Sequence, residues 1–373
     1  MKSIKHITKY FIALSMLLLT SLQAGATDIS KKVLMVVSSH GEEKGEKAPG
    51  YEFEEFAKAY LIFKSNGVDV DVASPKGGKV EADEFNPQKA HNKTVLADTA
   101  IMNKLNSTLR TSEIDATQYD GVFIVGGKGA MFDLPKDKAL QNVIADIYQR
   151  NGGVAAVCHG PAALVDVKLS DGSYLVAGKT INSFTNVEEK LFGKKWIKHF
   201  DFMLEDKLKE RGGNFQASEI MLSHVAVDGR LVTGQNPTST VGVANALVEA
   251  LGIKPVEQVL HSEDRTLAVI ADYLTGNADA LTELSENGEN YHLPLVSMYG
   301  YYFVDAAQDE AQVAQALTLM KVAQASLKNQ MLDMQIAKTQ QKLGQVEAAK
   351  LTLNQILAAN PDFKAAQDML KTL

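Results

Sequence analysis

Short apolar, β-branched runs recur over the first two thirds of the chain with helix-length stretches between them. No other feature narrows the fold as far. Val33-Leu34-Met35-Val36-Val37, Val68-Asp69-Val70-Asp71-Val72-Ala73, Val122-Phe123-Ile124-Val125 and Val154-Ala155-Ala156-Val157 read as buried parallel strands. Phe53 to Ser65 and Lys138 to Arg150 read as helices, the second stopped by Asn151-Gly152-Gly153. Strands joined through helices of this length make a parallel sheet with right-handed crossovers, an α/β architecture with helices on both faces. Val225 to Thr233, with Asp228-Gly229 at its centre, predicts a hairpin instead.

Near residue 253 the strand signals fade, and Ala, Gln, Leu and Lys take over. The 373 residues therefore divide into an α/β part, 27–252, and an all-α part of helical hairpins, 253–373. One hairpin is expected from Tyr299 to Gln324, with Ala316, Met320 and Ala323 at helical spacing. A second follows Gly344, through Ala349, Leu353 and Ile356 to Pro361-Asp362 and a last helix from Phe363. This second pattern resembles the latter half of a tetratricopeptide repeat.

Apolar residues make up 45% and charged residues 22%, which fits a globular chain and excludes collagen, coiled coil and disorder. The formal charge of −7 leaves no general excess of cations for phosphate, so nucleic acid is not expected as a partner. Lys2, Lys5 and Lys9, the apolar run Phe11 to Leu22, and Ala24-Gly25-Ala26 have the three parts of a secretory signal. Cleavage near Ala26 would deliver a periplasmic or secreted protein.

The chain has one cysteine, Cys158, so no intramolecular disulfide is available. It sits where the strand Val154 to Val157 meets His159-Gly160-Pro161, with Pro161 suited to a first helical turn. This is a nucleophile elbow with sulfur in place of serine oxygen. A helix starting there would present free N–H groups and a positive dipole end, favouring thiolate. His159 is placed to act as base or cation. Gly126-Gly127, ending another strand, can expose backbone N–H groups; with the His159 N–H, Gly127 would form an oxyanion hole. His40, His91, His199 and His224 show no metal-ligand spacing, and no Gly-rich loop has a phosphate-binding context, so neither metal nor cofactor is expected.

These motifs together resemble the ThiJ/PfpI superfamily, in its heat-shock and glutathione-independent glyoxalase branch. The resemblance spans about residues 31 to 252. It rests on the elbow Cys158-His159-Gly160-Pro161, the run from Asp120 to Leu134, Phe184-Thr185-Asn186-Val187-Glu188-Glu189, Leu204-Glu205-Asp206-Lys207-Leu208 and Thr233-Gly234-Gln235-Asn236-Pro237. It implies a flavodoxin-like sheet and a glutamate over the cysteine. Glu55, in Gly50-Tyr51-Glu52-Phe53-Glu54-Glu55, falls on that position, with Glu52 and Glu54 as competitors. A carboxyl beside a semi-buried sulfur should hold its proton to higher pH and could shuttle it. The resemblance also implies an acid orienting the elbow histidine, assigned to Glu188 with Glu189 as the alternative. Relatives usually carry histidine where this chain has Lys128, so no role for that side chain transfers.

The implied function is glutathione-independent conversion of methylglyoxal-type dicarbonyls to hydroxy acids, as in a lactate dehydratase-type hydro-lyase. Cys158, His159 and Glu55 would be its catalytic groups. The competing readings are a periplasmic stress holdase or redox sensor, with the helical tail taking a protein client, and a cysteine peptidase or amidase. An amidotransferase would take its base from a distant His-x-Glu, whereas here a histidine follows the cysteine directly. Relatives commonly dimerise, so a homodimer is a further expectation.

Overall fold

Val33, Met35 and Val37 turn one way and Leu34 and Val36 the other, as alternation along a strand requires. All five are fully buried, because helices cover both faces. The first set packs with Phe56, Phe63 and Leu247; the second packs with Leu140, Ile144 and Ile147. Each fully buried side chain of this size stabilises the fold by about 1.5–3 kcal/mol.

The computed structural model describes residues 30–258, 260–324 and 326–373. The expected secretory signal and its cleavage site lie outside those residues. Nine strands are described: β1 Lys32–Val36, β2 Asp69–Ser74, β3 Leu109–Arg110, β4 Gly121–Ile124, β5 Gly153–Val157, β6 Thr180–Ile181, β7 Asn214–Phe215, β8 Val225–Asp228 and β9 Leu231–Gly234. Seven form one sheet in the order β3-β2-β1-β4-β5-β9-β8, and β6 pairs with β7 separately. Every neighbour in the large sheet is parallel except β8–β9, the hairpin turning at Gly229 (φ +62°). This is the parallel α/β sheet the sequence predicts. The helices Phe53–Ser65 and Lys138–Gln149 occupy the stretches read as helical.

The chain order runs outward from β1 to β3 on one side and from β4 onward on the other. That makes β1 and β4 a switch point, and a crevice opens beyond the carboxyl ends of the strands there.

From Ser262 to Leu370 all the described elements are helical: Ser262–Leu274, Ala280–Glu286, the short turn Gly288–Asn290, Leu293–Ala306, Glu310–Gln324, Gln330–Lys342, Val346–Ala359 and Lys364–Leu370. Helices Leu293–Ala306 and Glu310–Gln324 cross closely at Gly300, where a Cβ would stand 2.8 Å from the Ala316 carbonyl. Their core of Val296, Tyr299, Phe303, Ala316 and Met320 also takes in Ile220 and Leu222 from the segment before β8. The extension is thus seated on the α/β part, and residues Lys31–Leu373 form one unit.

Candidate active site

Strand β5 is buried along its whole length and delivers Cys158 to the crevice in a left-handed conformation, φ +60°. For a residue with a Cβ this costs about 1–3 kcal/mol, offset by the surrounding structure. The Cys158 N–H donates to the Gly234 carbonyl at 2.8 Å, and its carbonyl accepts from the Phe184 N–H at 2.9 Å. Gly160 lets the chain turn, since a Cβ there would lie 2.4 Å from the Ile124 carbonyl oxygen. The segment after the elbow differs from expectation. Gly160–Leu164 is a five-residue 3₁₀ turn rather than a helix, so the dipole expected to favour thiolate is short.

Glu55, fully buried in the first turn of Phe53–Ser65, comes to the sulfur from the opposite side. Its Oε2 accepts from the Gly126 N–H at 2.7 Å, and its Oε1 is buried without a hydrogen-bond partner. A Cβ on Gly126 would stand 2.7 Å from that Oε2 and 2.8 Å from the Cys158 Cβ, so only glycine fits. The competing glutamates are engaged elsewhere. Glu54 pairs with Lys89 at 2.9 Å, and Glu52 caps its own helix by accepting from the Glu54 N–H.

Burial, then repulsion from Glu55, pushes the Cys158 thiol well above its ordinary value, against the lowering by the Gly127 N–H and the Lys128 ammonium. Burial first, then Glu52, likewise raises Glu55. Both groups are pushed towards their protonated forms, chiefly because burial disfavours either charge.

His159 lies between sulfur and a carboxylate. Its Nδ1 is 3.3 Å from the Cys158 Sγ and its Nε2 is 2.7 Å from Oε2 of Glu189, with the Phe184 ring 4.6 Å away. This corrects the assignment of the orienting acid: it is Glu189, and Glu188 points elsewhere. Thr185 caps the helix Asn186–Phe192, and Glu188 closes the capping box by accepting from the Thr185 N–H at 3.1 Å. Glu188 also accepts from the Met221 N–H and the Asn236 amide, each at 2.9 Å, and from the Gln235 amide at 3.1 Å. One residue further round the helix, Glu189 faces His159. Gly193 leaves it room, since a Cβ there would collide with the carboxylate. Thr185-Asn186-Val187-Glu188 carries the capping-box spacing, the signal in the sequence that separates the two acids.

The remaining candidates are scattered. His40 stacks on Phe132, His91 lies near Glu54, and His224 hydrogen-bonds Ser218. Among the described residues, no group of three or more His, Cys, Asp or Glu is arranged to hold a metal.

The cavity over Cys158 holds about 480 Å³. Gly127, Lys128, Cys158, His159 and Glu55 line it from the α/β part. Leu267, Leu295, Met298 and Tyr302 line it from the helical extension. Tyr302 contacts Phe192 at 5.0 Å between ring centres and also lines the cavity.

A parallel α/β sheet, a strained cysteine elbow at the carboxyl end of β5, beside the switch point, and a buried carboxyl near the sulfur define a class of α/β proteins with a cysteine elbow. Within that class the chain belongs to the DJ-1/PfpI family, whose model matches residues 31–250. It is 34% identical to the glutathione-independent glyoxalase HSP31 of Saccharomyces cerevisiae over 59% of this chain and 98% of the relative. Among solved structures it is similar to glyoxalase III of Candida albicans (TM-score 0.55, 27% identity, 59% of this chain, 97% of that one). It is also similar to the rapid encystment protein of Francisella tularensis (TM-score 0.56, 30% identity, 59% of this chain, 99% of that one).

Proposed function

We propose that this protein is a glutathione-independent glyoxalase-like enzyme that converts methylglyoxal-type dicarbonyls to hydroxy acids, in the manner of a lactate dehydratase-type hydro-lyase. The observation that carries the reading is the cluster of Glu55, Cys158, His159 and Glu189, with sulfur near a buried carboxyl and 3.3 Å from an imidazole that a second carboxylate holds at 2.7 Å. The names of the relatives support it.

In this scheme the Cys158 proton passes to His159 Nδ1 as Sγ attacks the aldehyde carbon. Glu55 gives its proton to the aldehyde oxygen, and the Gly127 and His159 N–H groups hold that oxygen. Glu55, now a carboxylate, takes the hydrogen from the former aldehyde carbon, and protonated His159 supplies the neighbouring carbonyl oxygen. The resulting enediol is protonated at the second carbon by Glu55 and loses its first hydroxyl proton to His159, leaving a thioester. Water cleaves the thioester, giving a proton to the Glu55 carboxylate while protonated His159 returns one to the leaving sulfur, so the hydroxy acid is released and thiol, acid and imidazole are restored. One carbon is oxidised and its neighbour reduced, so the balance needs water alone.

The amino-terminal pattern supports action outside the cytoplasm, and a homodimer or a protein client on the helical extension remains part of the proposal. The test is methylglyoxal loss and lactate formation without glutathione. Turnover in the wild type and its loss in both Cys158→Ala and Glu55→Gln is the expected result. A wild type with a free thiol and no turnover would overturn the reading for this substrate.

A further inference from the structure

The helical extension closes one side of the Cys158 cavity, and that wall has a chemistry of its own. We propose that it selects the substrate: the site takes an α-oxoaldehyde carrying an extended apolar substituent, reacting end down at Cys158, tail against the helices. The choice of reacting group rests on the function proposed above; the apolar tail rests on the wall alone.

Three observations carry this. First, a cavity of about 480 Å³ lies in the range of sites for drug-sized ligands, about 300–1,000 Å³, far beyond a three-carbon dicarbonyl. Second, the helices bring Leu267, Leu295, Met298 and Tyr302 to the lining beside His292, and Phe192 and Met221 add apolar surface from the α/β part. Met298 is 43% exposed, and Tyr301 of the same helix 40%. The acids Glu263 and Asp264 on the same rim are neutralised by Lys89 at 3.0 Å and Lys58 at 3.4 Å, so the wall offers a tail no unpaired charge at these positions.

Third, the wall is built into the site. Lys58 belongs to the Glu55 helix, and its pair with Asp264 is nearly buried, at 11% and 12% side-chain exposure. Ile220 and Leu222 enter the helical core on either side of Met221, whose N–H is held by Glu188, the neighbour of the acid on His159. The helices and the catalytic histidine are therefore positioned by adjacent residues of one short helix.

The test uses the full chain and its one thiol. Rates of Cys158 alkylation by N-methylmaleimide and N-octylmaleimide, each divided by the rate with a free thiol, are compared in the wild type, Met298→Asp and Tyr302→Ser. Melting curves accompany each variant. The normalised octyl rate should exceed the methyl rate by about tenfold, equivalent to burial of roughly two methylene groups. The ratio should collapse towards unity in whichever variant melts like the wild type. Equal normalised rates in the wild type, no reaction with the octyl reagent, or a ratio unchanged in both folded variants would overturn the proposal. In parallel, kcat/KM for a long-chain alkylglyoxal should exceed that for methylglyoxal. If neither is turned over while the alkylation ratio holds, the glyoxalase reading fails and the apolar wall stands.

Discussion

The two walls of the Cys158 cavity are held in place by different means. On the sheet side, backbone does the positioning: Cys158 at φ +60°, and Gly126 where no Cβ fits. On the helical side, side chains do it: Leu267 and Leu295 lie beside the Lys58–Asp264 pair, and Met298 stays partly open. A backbone-built wall is intolerant, because a displaced N–H or Cβ moves the reacting atoms together. A side-chain-built wall can be reshaped one residue at a time. Chemistry and selectivity are thus separable in this molecule.

That separation can be broken most severely on the sheet side. Gly126→Ala should lower kcat/KM by about a thousandfold, near the loss in Cys158→Ala, because its Cβ would displace Glu55 from sulfur. Steady-state kinetics on protein of unchanged circular dichroism checks this.

The adjacent glutamates sharpen the comparison next. Glu189→Gln should cut kcat/KM by roughly a hundredfold with little change in melting temperature, since it leaves His159 unoriented. Glu188→Ala should behave in the opposite way. It strips partners from Met221, Gln235 and Asn236, at a cost of about 2–4 kcal/mol, and denaturant titration would read it.

A smaller effect belongs to the seam between the walls. Lys58→Ala leaves the nearly buried Asp264 without its cation and should cost about 1–2 kcal/mol in the same titration. The smallest is a dependence on pH. Burial, then Glu54, pushes Glu52 up to about 7 from an ordinary 4.5. The folded chain therefore keeps a proton that the unfolded chain has released. Its stabilising contribution is full below about pH 4.5 and is lost as pH rises through about 7. The stability difference between wild type and Glu52→Gln should decline across that window, followed by melts at a series of pH values; a constant difference would refute it.

Much of the sheet-side wall was legible in the sequence because its signals are local. Strands β1, β4 and β5 are buried on both faces and read as unbroken apolar runs, and the turn at Gly229 is written as Asp228-Gly229. The elbow's place was legible from Cys158-His159-Gly160-Pro161, though not that its next turn would be 3₁₀. The two-residue strands β3, β6 and β7 escape notice, since pairing rather than propensity creates them. The helical wall was illegible as a wall. Helical spacing announces Glu310–Gln324, but the expected hairpin starts at Tyr299, midway along Leu293–Ala306, and nothing local tells Met298 and Tyr302 from surface residues. The Lys58–Asp264 pair joins positions 206 residues apart, a contact no periodicity contains.

The burial of Cys158 under these helices has a consequence for how the protein ages. A disulfide needs two Cα atoms within about 7 Å, and no second cysteine exists in the chain to supply one. At 4% exposure the sulfur is also out of reach of a thiol on another folded protein. Peroxide is small enough to enter. A sulfenic acid formed there has no resolving partner, so only a small external thiol can rescue it before further oxidation makes the loss permanent.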